Sequence, residues 1–517
     1  MPEPDGAPAP EAPPAAPPTA DTPPNTAAPP APQSPDAETP PEPIPVPGPT
    51  TEAGADEEGF GDDADEAGWG GEADSDGFAA VEDGGETEPP TTHLVLTGFF
   101  RSDAALWTER FDSNPVAQLR QSIDAQLGYK DGDWRFVLAG HFARDFAYWV
   151  DRDSYDAVTI ETYEQLALVR EAFVNWSLQD VELSAGRQIV VWGEGNMLSP
   201  LDMVNPRDLR EPGISDLDDL RLPVAMSRVN VFVGEHRFEG LVVHEANFGL
   251  LPPPRGNFNP MREQLSGGDG LGGDVIAQAE IRYEHEPPQW DLGAQQYFAR
   301  WRYTGSGYDL ALYSASLLDQ QGVAKLPELT EWLQEEVALK LYHPRFLAFG
   351  HSGTFAHESS LLKWELGADV DRPVVLEMED VAIPDYRWER RTIVKSMLGY
   401  TYSGFSDVML SAELTQNFIP EGTSEPTLFE LRQPAVAVQY HQFFLRERLE
   451  VTAVGSVLAG LDSGWLARAD VSYELADAWS VGGGYVTFQP GNRLSGLNGF
   501  TTHDRVFAKL RYDFALQ

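Results

Sequence analysis

Arginines and carboxylates crowd one stretch of this sequence. Between residues 202 and 228, Arg207, Arg210, Arg221 and Arg228 stand close to Asp202, Asp208, Glu211, Asp216, Asp218 and Asp219, with Leu, Met and Val interleaved. Arginine offers a planar fork of donors that a carboxylate accepts in bidentate fashion. Such forks can lock a loop into one shape, or hold fixed charge where a solute must pass. A flexible external loop has no need of dense opposite charge beside apolar side chains. The pattern therefore predicts a segment that folds into a lumen as a constriction. The competing reading is a structured surface loop with ordinary ion pairs, each worth little.

Other chemistries are thin. There is no GxSxG, HExxH or phosphate-cradling loop, and the ten histidines are scattered without metal-ligand spacing. His351 and Ser352 are adjacent, so on a strand they face opposite sides. His357 and Ser359 are two apart and would share a face, as a base and nucleophile must. The following Ser360-Leu361-Leu362-Lys363 lacks the Asn-Gly context of outer-membrane phospholipases. A lumen or rim histidine is the simpler reading, so neither enzyme activity, metal nor cofactor is expected. Gly267 to Asp274 resembles a single calcium-binding β-roll nonapeptide, but such repeats hold calcium between stacked turns, and one copy reads as a loop tip.

Composition narrows the field. The 517 residues carry 82 acidic and 36 basic side chains, no cysteine and 41 prolines. Residues 1–92 hold 22 Asp/Glu, 22 of the prolines and no Lys or Arg; Arg101 is the first basic residue. Such a stretch buries too little apolar surface to offset its chain entropy, so a disordered arm is expected there. Its first 50 residues are Pro/Ala-rich and favour an extended spacer, about 3.1 Å per residue. Further on, Phe60, Trp69 and Phe78 each follow a glycine among carboxylates at nine-residue spacing. Regular aromatics in a solvated chain suit a multivalent docking peptide; low-complexity drift is the alternative. Zero cysteine excludes disulfide scaffolds, thiolate metal sites and cysteine nucleophiles. The acidic balance argues against nucleic acid as a partner. No apolar run is long enough for a transmembrane helix. Met1 is followed by Pro, Glu and Asp, so no secretory leader is present in the chain as given, although the rest of the sequence demands export.

The remaining 93–517 alternate with period two. Leu119, Gln121, Ile123, Ala125, Leu127 and Tyr129 face one way, and Arg120, Ser122, Asp124, Gln126 and Gly128 the other. Val275–Glu284, Val408–Phe418 and Trp465–Leu475 repeat the pattern. These read as strands with one apolar and one polar face. Their length, aromatic ends and small apolar residues favour a transmembrane barrel, greasy side to lipid and polar side to a wet lumen. Asp131-Gly132-Asp133 and Glu286-Pro287-Pro288 read as tight turns; residues 248–273, 371–391 and 490–501 read as long loops. The last strand shows Val506, Ala508, Leu510, Tyr512 and Phe514 on one face. Leu510, Tyr512 and Phe514 are the expected signal to the barrel insertion machinery. The expected fold is all-β: an antiparallel barrel of about 16–18 strands, its lipid face in an outer membrane.

Three stretches also carry a family likeness: Gly186 to Glu194 ("GRQIVVWGE"), Leu201 to Glu211 ("LDMVNPRDLRE") and Asp216 to Val224 ("DLDDLRLPV"). They resemble a family of Gram-negative outer-membrane barrels known only as a domain of unknown function, often encoded beside an RND-type exporter and a LolB-like lipoprotein. The resemblance implies an outer-membrane channel or exporter component, with a role in moving hydrophobic or lipid-like molecules. It also implies an RND-type exporter and a periplasmic or lipoprotein partner. Glu194-Gly195-Asn196-Met197 departs from the family's usual continuation, and so does the acidic arm. A non-conducting anchor that docks an envelope machine through the arm is the rival function.

Overall fold

Eighteen strands join into one sheet that closes on itself. The computed structural model describes residues 93–110, 114–213, 220–266, 278–325, 327, 330–376, 388–424, 434–457, 463–491 and 495–516. The first strand, His93–Trp107, pairs with Val116–Asp131 on one side and with the last strand, Arg505–Leu516, on the other. Each barrel strand is antiparallel to its neighbours, and the register around the closure runs from Leu96↔Leu516 to Trp107↔Arg505. Closure leaves no unpaired edge, which a bilayer core would not tolerate.

The two rims differ. At one rim the strands are joined by tight turns, such as Gly132–Asp133 between Val116–Asp131 and Trp134–Asp145. Gly132 has φ +56°, which the twist of a two-residue hairpin turn requires and glycine supplies without steric cost. The strand ends His93 and Leu516 lie at this same rim. The long connections lie at the opposite rim. Short turns on one side and long loops on the other mark the periplasmic and external faces of an outer-membrane barrel.

Polarity is inside-out relative to a water-soluble protein. Leu127, Val471 and Leu510 on the outer face are 37%, 43% and 40% exposed. Their neighbours one residue along turn into the barrel, where Asp103, Ser122, Glu365, Glu413 and Arg468 are buried. An apolar belt around a whole cylinder is lipid-facing surface. Aromatic pairs ring the short-turn rim: Trp134 stacks on Trp176 at 5.3 Å, Trp479 meets Tyr512 at 4.8 Å, and Tyr303 meets Tyr308 at 5.7 Å. Amphipathic rings of this kind settle at the membrane–water boundary.

One strand expected in the wall lies elsewhere. Glu280–Glu286 is a seven-residue strand of a small separate sheet, parallel to Glu336–Tyr342, which in turn pairs with Val323–Lys325. Ile281 is buried there with Ala279, Leu265, Trp332, Val337 and Leu339. Seven residues are too few to cross a bilayer. Its apolar face meets protein, not lipid. Glu286-Pro287-Pro288 therefore belongs to the long external connection between His236–Val243 and Gln296–Gly305, and is not a short-rim turn. His357 ends its strand, and the tight turn at Glu358 (φ +51°) follows, so Ser359 does not continue the same strand face. Residues 1–92, including Phe60, Trp69 and Phe78, lie outside the described residues, as do 267–277.

Candidate functional site

Strands Val181–Gln188 and Val224–Val233 are hydrogen-bonded neighbours, paired from Val181↔Val231 to Gln188↔Val224. The excursion between them therefore leaves and re-enters the wall at one point of the external rim. Asn205 ties its two ends: Val190 N–H donates to Asn205 Oδ1 at 2.8 Å, and Asn205 Nδ2 donates to the Leu222 carbonyl at 2.8 Å. Trp192, fully buried, donates from Nε1 to Glu239 Oε2 at 3.1 Å. Glu239 stands on the inner face of His236–Val243, where it also accepts from Arg228 Nε at 2.6 Å and Arg300 Nε at 2.8 Å. The Trp192 ring meets Phe298 edge-on at 5.6 Å and Tyr313 at 5.4 Å. Val190, Trp192, Leu201, Met203 and Val204 complete a core with inward side chains such as Met226, Leu241, Phe298 and Ala348.

Residues 194–201 then reach strands far around the wall. Glu365, on the inner face of Ser360–Val375, accepts the N–H groups of Glu194, Gly195 and Leu201 at 2.6, 2.9 and 2.9 Å, and the Ser199 hydroxyl at 2.8 Å. Glu413, on Val408–Phe418, accepts the N–H groups of Asn196, Met197 and Leu198 at 2.6, 2.9 and 2.6 Å. Six backbone donors, five of them consecutive, and a hydroxyl are thus satisfied by two carboxylates. Charge-assisted bonds of this kind are the strong ones. Lys363 Nζ donates to Asn196 Oδ1 at 2.7 Å, and Lys395 Nζ to the Pro200 carbonyl at 2.9 Å. Leu201, also fully buried, occupies the space over Gly350 and Gly367, which face each other across two strands. A Cβ at either glycine would sit 2.7–2.8 Å from a Leu201 methyl.

The ionic cluster splits into pairs. Asp202 accepts from Arg207 at 2.9 Å and Arg221 at 3.1 Å. Asp208 accepts from Arg210 at 2.6 Å, and Arg210 Nη1 donates to the Thr162 carbonyl at 2.8 Å. Burial pulls the Arg210 guanidinium down, but its bonds to Asp208 outweigh that and leave it above its ordinary value. Glu211 pairs with Arg120 at 2.8 Å on Val116–Asp131, and the Pro212 carbonyl accepts from Arg505 at 2.8 Å. Arg228 belongs to the wall and serves Glu239. Asp216, Asp218 and Asp219 lie outside the described residues. The segment therefore bonds to inward side chains on two separate arcs of the wall: Ser360–Val375 to Val408–Phe418 on one, and Arg505–Leu516 to Val116–Asp131 on the other.

Sequence reasoning found the local pairs and missed the distant anchors. Glu365 and Glu413 sit 164 to 217 residues from the backbone they hold. Their only sequence mark is a place on the polar face of an alternating strand. No group of three or more His, Asp or Glu able to hold a metal occurs among the described residues.

The closed wall, its lipid-facing belt and its unequal rims define an outer-membrane β-barrel, one whose bore receives a segment of its own chain. The match of residues 108–514 places it in a family: the chain belongs to the proteins described as "Protein of unknown function (DUF1302)". No curated protein matches it. Among solved structures it is similar to a BenF-like porin from Pseudomonas fluorescens Pf-5, at 9% identity and a TM-score of 0.43, covering 82% of this chain and 98% of that one. OccK1 (OpdK) from Pseudomonas aeruginosa gives 10% identity and 0.44 over 82% and 99%. Acinetobacter baumannii OccAB1 gives 9% and 0.44 over 82% and 96%. At these scores the likenesses add nothing to the barrel geometry itself.

Proposed function

We propose that the protein is an outer-membrane channel whose bore is narrowed by residues 189–223. The observation that carries the reading is the fastening of 194–201 to Glu365 and Glu413. A segment that served only to link two adjacent strands would need no such anchors on distant ones. Arg207, a third exposed and fixed by the buried Asp202 that also holds Arg221, then meets the solute as fixed charge rather than as a mobile side chain. The family likeness carried by residues 186–224, and not the geometry, is what suggests hydrophobic or lipid-like molecules as cargo and an RND-type exporter with a periplasmic or lipoprotein partner as the machinery that supplies them. Leu510, Tyr512 and Phe514, on the outer face of the closing strand, serve the insertion machinery in this reading.

Single-channel recording in planar bilayers tests it. Deleting residues 196–219 removes most of the excursion and keeps both partners of the Gln188↔Val224 pair. The expected result is a steady rise in unit conductance over the parent barrel. Unchanged conductance would count against a constriction. Parent and deletion both silent would favour the anchoring role, with Phe60, Trp69 and Phe78 as the docking residues.

A further inference from the structure

A shallow groove of about 530 Å³ runs down the lipid side of the wall where the first and last strands meet. Phe100, Ile123, Phe142 and Leu510 line it. Within it, Gln121 Nε2 donates to Ser102 Oγ at 2.8 Å, a polar pair on the outer face. The external end of the groove is headed by Arg144 and Phe146. The Arg144 guanidinium lies 5.5 Å over the Phe146 ring and donates to Glu164 Oε1 at 3.3 Å. Arg152 donates to the other oxygen of the same carboxylate at 2.9 Å. Both arginine side chains are about half exposed, 47% and 52%. Beside them, Trp149 and Val150 on the short helix Ala147–Val150 are exposed.

Four requirements of one ligand class meet here. Two guanidiniums that share a single carboxylate keep donors for another anion, and a guanidinium fork suits phosphate. The long-loop rim puts them at the depth of the external headgroups. The apolar groove below receives an acyl chain. Exposed Trp149 and Val150 suit the membrane–water boundary. The geometry points to a binding site for a phosphate-bearing glycolipid of the outer leaflet. Its phosphate rests on Arg144 and Arg152, its first chain lies along Phe142, Ile123 and Phe100, and the Gln121–Ser102 pair meets the ester or amide at the head of that chain. Charge complementarity selects this occupant, since two half-exposed guanidiniums share one carboxylate at the head of the groove. Asp151 and Asp153 flank Arg152, and Asp151 accepts from Ser154 Oγ at 2.7 Å. A phosphate has to compete with both, so Arg144 is the sharper probe.

The test uses the full chain in nanodiscs of phosphatidylcholine containing a small fraction of bisphosphorylated lipid A or of its dephosphorylated form. Lipid retained per barrel after repurification is read by mass spectrometry. The phosphorylated form is expected to be retained about tenfold better, and R144Q to abolish that preference, as the loss of one charge-assisted contact predicts. Heat-modified gel mobility of the variant should match the parent, which separates lost binding from lost folding. Phe142→Ala should weaken retention of both lipids. Equal retention of the two lipids by the parent, or an undiminished preference in the variant, overturns the proposal. So does full competition by inorganic phosphate, because the arginines would then bind the anion without the groove. None of these readouts depends on conductance.

Discussion

The carboxylate of Glu365 occupies the space that a side chain at Gly193 would need. Gly193 has φ +91°, and a Cβ there would lie 2.8 Å from Glu365 Oε1 and closer still to Ser199 Oγ. The turn can wrap the carboxylate only because residue 193 has neither a β-carbon nor a preference against this backbone conformation. Gly193→Ala should therefore loosen the turn without touching any charged group. We expect larger and noisier unit conductance from this variant, with an unchanged barrel by gel mobility. Quiet, parent-like openings would show that the bore does not depend on this turn.

Glu413→Ala strips three backbone donors of their acceptor. These groups are half-buried, and leaving an N–H without an acceptor out of water's reach costs on the order of 1–3 kcal/mol. Amide exchange at Asn196, Met197 and Leu198 should speed up by roughly tenfold to a hundredfold, the kinetic equivalent of that loss for a local opening. Exchange in the wall strands should stay as it is. Unaltered protection at 196–198 would remove Glu413 from the anchoring role.

Leu201→Ala leaves a void over Gly350 and Gly367. For a fully buried leucine the cost is about 2–5 kcal/mol. The loss should appear as earlier release of the segment to proteolysis on heating, before the barrel melts. The double variant Leu201→Ala, Gly367→Ala refills part of the void and should recover some of the resistance.

The external loops should loosen in acid. His343 is buried, lies face to face on Phe248 with ring centroids 3.4 Å apart, and is bonded through Nδ1 to the Asp319 carbonyl at 2.6 Å. A carbonyl only accepts, so Nδ1 carries the proton and Nε2 accepts from His285 Nδ1 at 2.9 Å. Burial lowers the His343 pKa to about 4. The unfolded loop takes up a proton below its ordinary value near 6.5, while the folded loop does not until about 4. The stabilisation is complete above 6.5 and drains away as pH falls to 4, by on the order of 3 kcal/mol. His503, lowered to about 3 by burial and the nearby Arg110, acts in the same direction. Exchange protection around Phe248 and His343 should fall between pH 7 and pH 4, and His343→Gln should flatten that slope.

Leu127 and Gln126 are neighbours on one strand but face different solvents. Leu127→Arg places a charge in lipid, at a cost of roughly 2–4 kcal/mol near the midplane. Gln126→Arg places it in the lumen. Refolding into vesicles should suffer in the first variant and proceed in the second. Equal effects would contradict the assigned faces.

Much of the wall was legible because strand parity is local. The outward faces of Leu119–Tyr129, Val408–Phe418, Trp465–Leu475 and Val506–Phe514 follow from alternation alone, as does the opposition of His351 and Ser352. Alternation does not say what the apolar face meets. That is why Glu280–Glu286 passed for a wall strand: lipid and a second layer of protein select the same pattern, and only length separates them. The ionic cluster was legible where partners lie close in sequence, as with Asp208 and Arg210. Glu211 with Arg120, and the turn 194–201 with Glu365 and Glu413, join residues that only closure of the cylinder brings together. No spacing rule reaches that far.

Because Gln188 and Val224 are partners in the ladder, the wall continues across that junction whatever hangs from it. The segment 189–223 is thus a cassette, set between two staves without being part of either. Its length and charge can therefore be altered without shifting the register of any strand, so what fills the bore is separable from the scaffold that surrounds it.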